Sequence, residues 1–281
     1  MNQKSESPPP KRTSIGRVAV DYKNVASILT PASGFMDLFD YTMNPYSGCA
    51  FGCTYCYAAF FSRTLGHKNS WGSWVQVKEN ALVQLQKLRK KPLINKTIYI
   101  SSVTDPYQPL EAELRLTRSL LQELAEHHQA RIVIQTRSPL VTADIDVFQK
   151  FQHIQVNMTV TTDSETVRKV FEPYCPSNSS RLKAIKTVAD AGIPACITMT
   201  PLLPLEDIDT FIGQLKATGI TKFTVQPFHT DKGKFVAGTR QDALDLLKKY
   251  HWSPETYVSI QHRLQEAFPD IGIGKNGFNP V

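Results

Sequence analysis

Three of the five cysteines lie within eight residues, in the segment "SGCAFGCTYCYA". Cys49 and Cys53 are separated by three residues, and Cys53 and Cys56 by two. Thiols clustered in this way are more often metal ligands or catalysts than disulfide partners in a reducing compartment. A structural zinc site needs four ligands, and the next candidate along the chain is His67. Three thiolates on one short loop fit an iron–sulfur cubane with one iron open to a small molecule better than zinc or a purely structural cluster.

The composition indicates what kind of chain carries this loop. Its 281 residues, 41% hydrophobic and 20% charged, suit one large folded domain with small additions, or at most two ordinary domains. No apolar run approaches the roughly 18–20 residues that span a bilayer, and the first residues, "MNQKSESPPPKRTS", lack the apolar core of a secretory signal. We therefore expect a cytoplasmic protein without a membrane partner.

Positive charge is concentrated in one segment. The formal net charge is +7, and residues 78–96 hold six cations against the single anion Glu79, which leaves +5 on one predicted helix and its exit loop. Such a stripe either binds nucleic-acid phosphates or is simply a solvated helix face. The six cations are Lys78, Lys87, Arg89, Lys90, Lys91 and Lys96.

Short strands alternate with amphipathic helices along most of the chain. The helical patterns around Leu182 and Phe211 end at Gly192 and Gly219, as helices often do. This alternation predicts an α/β fold with parallel strands and helical crossovers. A short strand before the cysteines brings the count to six units, too few for the usual eight-stranded barrel, and no glycine fingerprint supports a dinucleotide fold. The other five strands are predicted at 96–103, 131–137, 154–162, 193–200 and 220–228.

The later strands alternate polar and apolar side chains. Asn157, Thr159, Cys196 and Thr198 fall on the polar faces of their strands. Strands buried on both faces normally read as continuous apolar runs, so these polar faces predict a wide, solvent-filled concavity that holds a ligand. An antiparallel sheet with one solvated face is the alternative, and the intervening helices disfavour it. Cys196 is a candidate catalytic thiol if it faces the cavity, and a small core residue otherwise.

The cysteine spacing, with Tyr55 just before the third cysteine, resembles the signature loop of the radical S-adenosylmethionine superfamily. Further segments resemble, in order and spacing, a bacterial group related to spore photoproduct lyase and labelled DNA-repair-photolyase-like. This resemblance covers about residues 40–230. The segments are "NPYSGCAFGCTYCYA", "SSVTDPYQP", "TRSPLVTADID" and "VTTDSETVRKVFEPYCPSNSSRLKAIKTVADAGIP".

The resemblance implies a partial (β/α)6 barrel. We expect an N-terminal arm at 1–36, partly disordered, a barrel domain at 37–235 with the cluster loop at 44–60, and a C-terminal helical extension at 236–281. The implied cofactors are a 4Fe-4S cluster, held by the three clustered cysteines, and S-adenosylmethionine. The implied partner is a one-electron reductant of the flavodoxin or ferredoxin type, and the implied chemistry is reductive cleavage of S-adenosylmethionine followed by hydrogen abstraction, of lyase or transferase type.

Several residues would contact S-adenosylmethionine by this resemblance. Tyr55 would pack near the adenine. Thr104 and Asp105 would contact the ribose or the amino group, although the Asp105–Pro106 pair equally predicts a plain turn. Polar groups after the strands are expected at the carboxyl ends, where a barrel carries out its chemistry.

Two arginines and a threonine complete the implied cofactor site. Arg137 stands where relatives carry a lysine for the cofactor carboxylate, which keeps the charge and changes its geometry. Thr159 stands where relatives carry a serine that hydrogen-bonds the cofactor. Arg181 would contact a carboxylate or, as an equally supported alternative, form a structural salt bridge with Glu172.

One position departs from the lyase pattern. Spore photoproduct lyase uses a cysteine as hydrogen donor where this chain has Ser102, whose O–H bond is too strong to donate readily to a carbon radical. Tyr57 matches the tyrosine of the lyase relay and is a candidate catalytic residue. The substrate is therefore left open between nucleic acid and a peptide or small molecule, and the non-enzymatic alternative is an iron–sulfur or zinc-binding module.

Overall fold

A computed structural model describes residues 11–60, 62, 71–229 and 241–281 of the chain. The strands are β1 (Ser14–Ile15), β2 (Val18–Lys23), β3 (Leu29–Pro31), β4 (Tyr41–Met43), β5 (Tyr46–Gly48), β6 (Trp74–Lys78), β7 (Thr97–Ile100), β8 (Arg131–Thr136), β9 (Ile154–Thr159), β10 (Ala195–Met199), β11 (Lys222–Val225) and β12 (Gly272–Ile273). The helices are α1 (Ala81–Gln86), α2 (Glu111–Leu114), α3 (Leu116–His127), α4 (Ile145–Phe148), α5 (Glu165–Phe171), α6 (Asn178–Asp190), α7 (Ile208–Lys216), α8 (Gln241–Lys249) and α9 (Pro254–Ala267).

The larger sheet carries the strands predicted from the sequence. Its order is β12-β11-β10-β9-β8-β7-β4-β3, and every neighbouring pair from β4 to β12 is parallel, while β3 is antiparallel to β4. The short strand expected before the cysteines is β4, and the five later predicted strands are β7 to β11. The prediction of an α/β fold with parallel strands is confirmed.

Helix ends follow the predicted signals. Gly192 and Gly219, just after α6 and α7, adopt φ values of +81° and +74°, a conformation that costs glycine little. At the other ends, the side chains of Ser177 and Asp207 accept hydrogen bonds from backbone N–H groups of the first turns. Local sequence therefore determines where these crossover helices begin and end.

A smaller sheet with the order β1-β2-β6-β5 lies beside the larger one and was not predicted. It uses part of the expected N-terminal arm, of which residues 1–10 lie outside the described residues. Its strand β5 ends at Gly48, directly before Cys49. A Cβ atom at Gly48 would lie 2.5 Å from the Trp74 carbonyl oxygen, and φ is +75°, so this close approach of β5 to β6 requires glycine.

The helices cover the apolar face of the larger sheet. Ile132 and Ile134 of β8, Leu120 and Leu124 of α3, and Ile185 of α6 are fully buried in one core cluster. Complete burial of such a side chain contributes about 1.5–3 kcal/mol. This packing holds the carboxyl ends of the parallel strands, and the loops that follow them, in fixed positions.

The polar side chains of the strands share the opposite face, as predicted. The Gln135 amide donates hydrogen bonds to Thr159 Oγ1 at 2.6 Å and to Thr198 Oγ1 at 2.8 Å. The prediction of a solvent-filled concavity is wrong for this part of the face, because Thr159 and Thr198 are 1% and 0% exposed. These groups bond to one another instead of to solvent.

The C-terminal segment also packs against the larger sheet. Thr224 donates a hydrogen bond to the Gly277 carbonyl at 3.0 Å, and the Phe278 ring lies 6.3 Å from the Tyr99 ring. The Arg131 guanidinium also donates to the Val281 carbonyl. The residues after α9 thus pack on the polar face, and β12 extends the sheet beside β11.

The basic segment is less continuous than predicted. It forms the six-residue helix α1 and a 3-10 turn over Lys87–Lys90. The Arg89 guanidinium pairs with Glu123 at 2.5 Å, and Lys96 pairs with Asp40 at 2.8 Å. Two of the six cations therefore have acidic partners.

Candidate functional site

The cluster loop, residues 44–60, brings its three cysteines together on one tight stretch of backbone. It leaves β5 at Gly48 and ends in a 3-10 turn over Tyr57–Ala59. Backbone N–H groups donate from Gly52 to the Cys49 carbonyl at 3.3 Å and from Cys56 to the Cys53 carbonyl at 3.2 Å. Cys49 and Cys53 are buried, and Cys56 is partly exposed.

Side chains distant in sequence hold the start of this loop. Arg17 Nη2 donates to the Ala50 carbonyl at 2.6 Å, and the Arg17 guanidinium stacks on the Tyr174 ring with 3.1 Å between its carbon and the ring centroid. The Ala50 N–H donates to Gln108 Oε1 at 2.9 Å. Both polar groups of the Ala50 peptide are therefore anchored, which orients the adjacent Cys49.

Two further hydrogen bonds link the loop to the carboxyl end of the larger sheet. Thr104 Oγ1, after β7, donates to the Gly48 carbonyl at 2.5 Å. The Thr54 N–H donates to the carbonyl of Phe171, the last residue of α5, at 2.8 Å. The cluster loop is thus bonded to the loop that follows β7 and to the end of α5.

A fourth thiol lies against the cluster loop. The sulfur atoms of Cys53 and Cys175 are 3.7 Å apart, and both residues are buried. The hydrogen bond between the two thiols lowers the pKa of Cys53, although burial opposes this effect. Burial raises the pKa of Cys49 well above its ordinary value. Ligation by Cys49 would therefore release a proton.

A buried carboxylate binds two arginines and a tyrosine beside this loop. Glu172 accepts from the Tyr55 hydroxyl at 2.5 Å and lies 2.6 Å from Arg181 Nη1 and 3.3 Å from Arg137 Nε. Burial alone would raise the pKa of Glu172, but the Arg181 and Arg137 guanidiniums and the Tyr55 hydroxyl lower it to about 2. The predicted salt bridge between Arg181 and Glu172 is confirmed, and neither of its side chains is exposed.

Arg137 lies where the sequence places it, directly after β8. Its backbone N–H donates to Asp105 Oδ2 at 2.8 Å, and its Nη2 donates to the Tyr55 hydroxyl at 3.1 Å. The Arg137 side chain is 20% exposed, so it connects the buried group around Glu172 with the solvent-accessible part of the site. The Tyr55 ring packs against the Phe228 ring, with 6.0 Å between centroids.

Asp105 uses both carboxylate oxygens within the protein. Oδ1 accepts from the Tyr107 N–H at 2.9 Å and from Thr136 Oγ1 at 2.7 Å, and Oδ2 accepts from the Arg137 N–H. Burial raises the pKa of Asp105, while these hydrogen bonds act in the opposite direction. This is the turn arrangement given above as the alternative to cofactor contact, and it joins the end of β7 to the end of β8.

Tyr57 and Ser102 contact each other in the solvent-accessible part of the site. The Tyr57 hydroxyl donates to the Ser102 carbonyl, and Asn44 Nδ2 donates to Ser102 Oγ at 3.1 Å. The preceding residue, Ser101, has φ +86°, a strained conformation for a residue other than glycine. The chain therefore turns sharply here, next to the cluster loop.

Thr159 and Cys196 are positioned differently from these residues. Thr159 ends β9, and its carbonyl accepts from Arg181 Nη1 at 3.2 Å, which connects it to the charged network. Cys196 is fully buried near the start of β10, and its sulfur lies 3.7 Å from Thr224 Oγ1. None of the contacts described for Cys196 involves the cluster loop, and its catalytic role stays a prediction.

The donor set fits the cluster and S-adenosylmethionine. Among the described residues, no three His, Cys, Asp or Glu side chains converge on a point that could hold one metal ion, and His67 lies outside them. Ligands of a cubane bind separate irons, so thiols spread along one loop suit it without such convergence. Within the described part of the chain, Thr54 Oγ1, Gln108 Nε2 and Arg181 Nη2 are among the buried polar atoms at or next to the loop that lack hydrogen-bond partners.

Comparison with known families agrees with this arrangement. The profile of the Radical SAM superfamily matches residues 43–216, which include the cluster loop and the strands β7 to β10. The chain belongs to the radical SAM superfamily. Members of this superfamily are enzymes that use a 4Fe-4S cluster and S-adenosylmethionine and need an external reductant.

Individual relatives cover part of the chain. An uncharacterized protein of Methanocaldococcus jannaschii is 40% identical over 177 residues, which are 63% of this chain and 66% of that protein. An uncharacterized protein of Mycobacterium tuberculosis is 29% identical over 227 residues, 75% of this chain and 66% of that protein. The chain thus matches slightly less than two thirds of the length of these relatives.

A structural comparison supports the fold. Spore photoproduct lyase complexed with dinucleoside spore photoproduct superposes with a TM-score of 0.60 at 15% identity, covering 91% of this chain and 81% of that one. A mutant of the same lyase with bound AdoMet and dinucleoside spore photoproduct gives the same score.

Within the described residues, no helix has both the length and the apolar character that crossing a bilayer requires.

Sequence reasoning missed several residues of this site. Arg17 lies 33 residues before Ala50 and belongs to no local pattern, so nothing in the sequence pointed to it. Gln108 lies close to the Asp105–Pro106 turn signal, which is the sequence feature that points to it. The sequence indicates Glu172 only as a partner of Arg181, and no pattern assigns a role to Cys175.

Proposed function

We propose that this enzyme cleaves S-adenosylmethionine reductively and abstracts a hydrogen atom from its substrate, with Cys49, Cys53 and Cys56 as the three protein ligands of the cluster. The observation that carries the proposal is the position of these thiols on one anchored loop beside the carboxyl ends of parallel strands. When bound, the cluster and S-adenosylmethionine would supply the 5′-deoxyadenosyl radical. The protein's part is to bind, orient and shield these groups.

Arg137 is the proposed partner of the cofactor carboxylate. Its side chain is partly exposed, and Glu172 and Tyr55 restrict the orientation of its guanidinium through the contacts described above. A charge-assisted hydrogen bond from a pre-oriented guanidinium is stronger than one from a free side chain, because less rotamer entropy is lost on binding. Glu172 is thus a positioning residue in this proposal.

The remaining assignments complete the cofactor site. We propose that Thr104 and Asp105 line the ribose side, that Tyr55 lies near the adenine, and that Thr159 and Arg181 support the cofactor through the network around Glu172. Asp105 would act mainly by fixing the ends of β7 and β8, since its oxygens already accept three hydrogen bonds. Tyr57 would face the substrate, and Cys196 is the alternative hydrogen donor.

The finer architecture follows the same proposal. Six strands, β4 and β7 to β11, are adjacent in chain order in one parallel sheet, which supports a partial (β/α)6 barrel over residues 37–235. Residues 1–36 would form an N-terminal addition and residues 236–281 a C-terminal extension. A flavodoxin- or ferredoxin-type protein would supply the electron, and we propose a cytoplasmic location.

A nucleic-acid substrate is the leading proposal. It is supported by the exposed side chains of Lys87, Lys90 and Lys91 on the 3-10 turn and just after it. Cations on one surface neutralise phosphates without reading the base sequence. A peptide or small-molecule substrate is the alternative for the same radical chemistry.

Anaerobic reconstitution with iron and sulfide tests the proposed function. We expect about four irons per chain, as a cubane requires, and dithionite-dependent formation of 5′-deoxyadenosine from S-adenosylmethionine. Alanine at Cys49, Cys53 or Cys56 should remove most of the iron, whereas Cys196→Ala, the matched control at a buried thiol outside the loop, should retain it. Stoichiometric zinc without iron in protein purified under anaerobic conditions would refute the proposal.

A further inference from the structure

Cys175 is a buried thiol that the proposed cofactor chemistry does not use. It follows α5, and its backbone is held on both sides, because its N–H donates to the Glu172 carbonyl at 3.1 Å and its carbonyl accepts from Arg168 Nη1 at 2.8 Å. Arg168 Nη1 also donates to the Glu172 carbonyl at 3.2 Å. The position of this thiol is therefore built into the loop.

The opposite thiol is equally constrained. Thr54, the residue after Cys53, donates its backbone N–H to the Phe171 carbonyl at 2.8 Å, so the cluster loop is attached to the segment that carries Cys175. The two sulfur atoms are 3.7 Å apart, which is van der Waals contact, and a disulfide bond needs about 2.05 Å. The two sulfur atoms would have to approach further, by rotation of the two side chains, for the bond to form.

We propose that Cys53 and Cys175 form a reversible disulfide in the cluster-free protein, and that this bond and the cluster exclude each other. The proposal rests on the proposed function in one respect, because it takes Cys53 as a cluster ligand. A sulfur atom in a disulfide cannot bind iron as a thiolate. The oxidised pair therefore leaves only two thiolates, Cys49 and Cys56, on the cluster loop. Reduction restores the third.

The bond forms by thiol–disulfide exchange with a small disulfide such as oxidised glutathione. The Cys53 thiolate attacks one glutathione sulfur, which forms a mixed disulfide and releases one glutathione thiolate. The Cys175 thiolate then attacks the Cys53 sulfur and releases the second glutathione. The two protein thiols lose two electrons and two protons, and oxidised glutathione takes them up as two molecules of reduced glutathione.

The position of the other thiols makes this pairing specific. Cys49 and Cys56 lie on the same loop as Cys53, and among the described residues the sulfur–sulfur contact of Cys53 is with Cys175, at 3.7 Å. The fifth cysteine, Cys196, has its sulfur beside Thr224 Oγ1 on the polar face of the sheet. Oxidation should therefore select the 53–175 pair over links within the loop.

The test uses full-length, cluster-free protein treated with oxidised glutathione under anaerobic conditions, then alkylated and digested without reduction. Mass spectrometry should find the peptide of Cys53 joined to that of Cys175, with Cys49 and Cys56 alkylated. Cys175→Ser should abolish this cross-link, and Cys196→Ser, the matched control, should keep it. Links from Cys53 to Cys49 or Cys56 instead, or no intramolecular disulfide in the wild-type protein, would overturn the proposal.

Iron uptake provides the second readout. After the same oxidation, wild-type protein offered iron and sulfide without a thiol reductant should bind about tenfold less iron than reduced protein, since one of three ligands is blocked. Dithiothreitol should restore uptake. In Cys175→Ser the exchange stops at the mixed disulfide of Cys53 with glutathione, so this variant should also lose uptake after oxidation, should carry glutathione on Cys53, and should regain uptake with dithiothreitol. A disulfide in protein that binds no iron even when reduced would refute the proposed function alone, whereas cluster assembly without any disulfide would refute this inference alone.

Discussion

Replacement of Glu172 by Gln tests the charged network that holds Arg137 and Tyr55. The substitution preserves the shape of the side chain but replaces one acceptor oxygen with an NH2 donor, and it removes the only carboxylate in contact with the fully buried side chain of Arg181 among the described ion pairs. Removal of one partner of a buried ion pair costs about 3–5 kcal/mol, because the other charge stays buried without compensation. We expect a loss of this size in the free energy of unfolding at pH 7.

The pKa of Glu172 supports the same magnitude. A decrease from 4.5 to about 2 means that folding favours the ionised carboxylate by about 3 kcal/mol, at 1.36 kcal/mol per pKa unit. The folded-state pKa lies below the unfolded one, so this contribution is fully present above about pH 4.5 and disappears as the pH falls towards 2. The difference in stability between wild type and Glu172→Gln should therefore narrow on acidification through this range.

The assay is guanidinium unfolding of the cluster-free protein, followed by circular dichroism at pH 7 and at pH 3. Glu113→Gln is the matched control, because Glu113 pairs with Arg12 on the surface and its side chain is 49% exposed. Exposed pairs contribute about 0–1 kcal/mol, so this variant should resemble the wild type. A loss below about 1 kcal/mol for Glu172→Gln, or a difference that does not depend on pH, would refute the reasoning about this network.

Three further predictions concern ligands. Arg137→Ala should weaken S-adenosylmethionine binding about ten- to a hundredfold by calorimetry, because a lost charge-assisted hydrogen bond is worth about 1.5–3 kcal/mol, while iron content stays unchanged; unchanged affinity would show that this assignment is misplaced. With Ser102 at the donor position, the enzyme should not efficiently convert spore photoproduct in an oligonucleotide, and multiple turnovers to two intact thymines by mass spectrometry would contradict this. Double replacement of Lys90 and Lys91 by Ala should reduce the slope of the logarithm of the nucleic-acid binding constant against the logarithm of the salt concentration by the contribution of about two phosphate contacts. An unchanged slope would show that this surface does not bind nucleic acid.

Features that depend on neighbouring residues could be read from the sequence. The spacing of Cys49, Cys53 and Cys56 indicated a cluster loop, and the alternation of strands and helices indicated parallel strands, both of which agree with the family and the fold. Gly192 and Gly219 ended the helices as predicted. These signals are local because a helix cap, a strand period and a ligand spacing each involve only residues a few positions apart.

Contacts between distant segments were decided only by tertiary structure. The polar strand faces predicted a solvent-filled cavity, but Gln135, Thr159 and Thr198 bond to one another, and the C-terminal segment packs on the same face. The alternation of polar and apolar side chains in a strand does not indicate which segment will cover its polar face, because burial depends on how the elements pack.

The candidate site shows the same division. The sequence alone identified the three thiols of the cluster loop, the cation Arg137 after β8, and Ser102 at the lyase donor position. Tertiary structure decided that Glu172 would be buried between Arg137 and Arg181, and that Cys175 would touch Cys53 across 122 positions of chain. The physical reason is that the free energy of a buried charge or a thiol contact depends on which groups surround it, and folding brings those groups together from segments whose sequences carry no mark of one another.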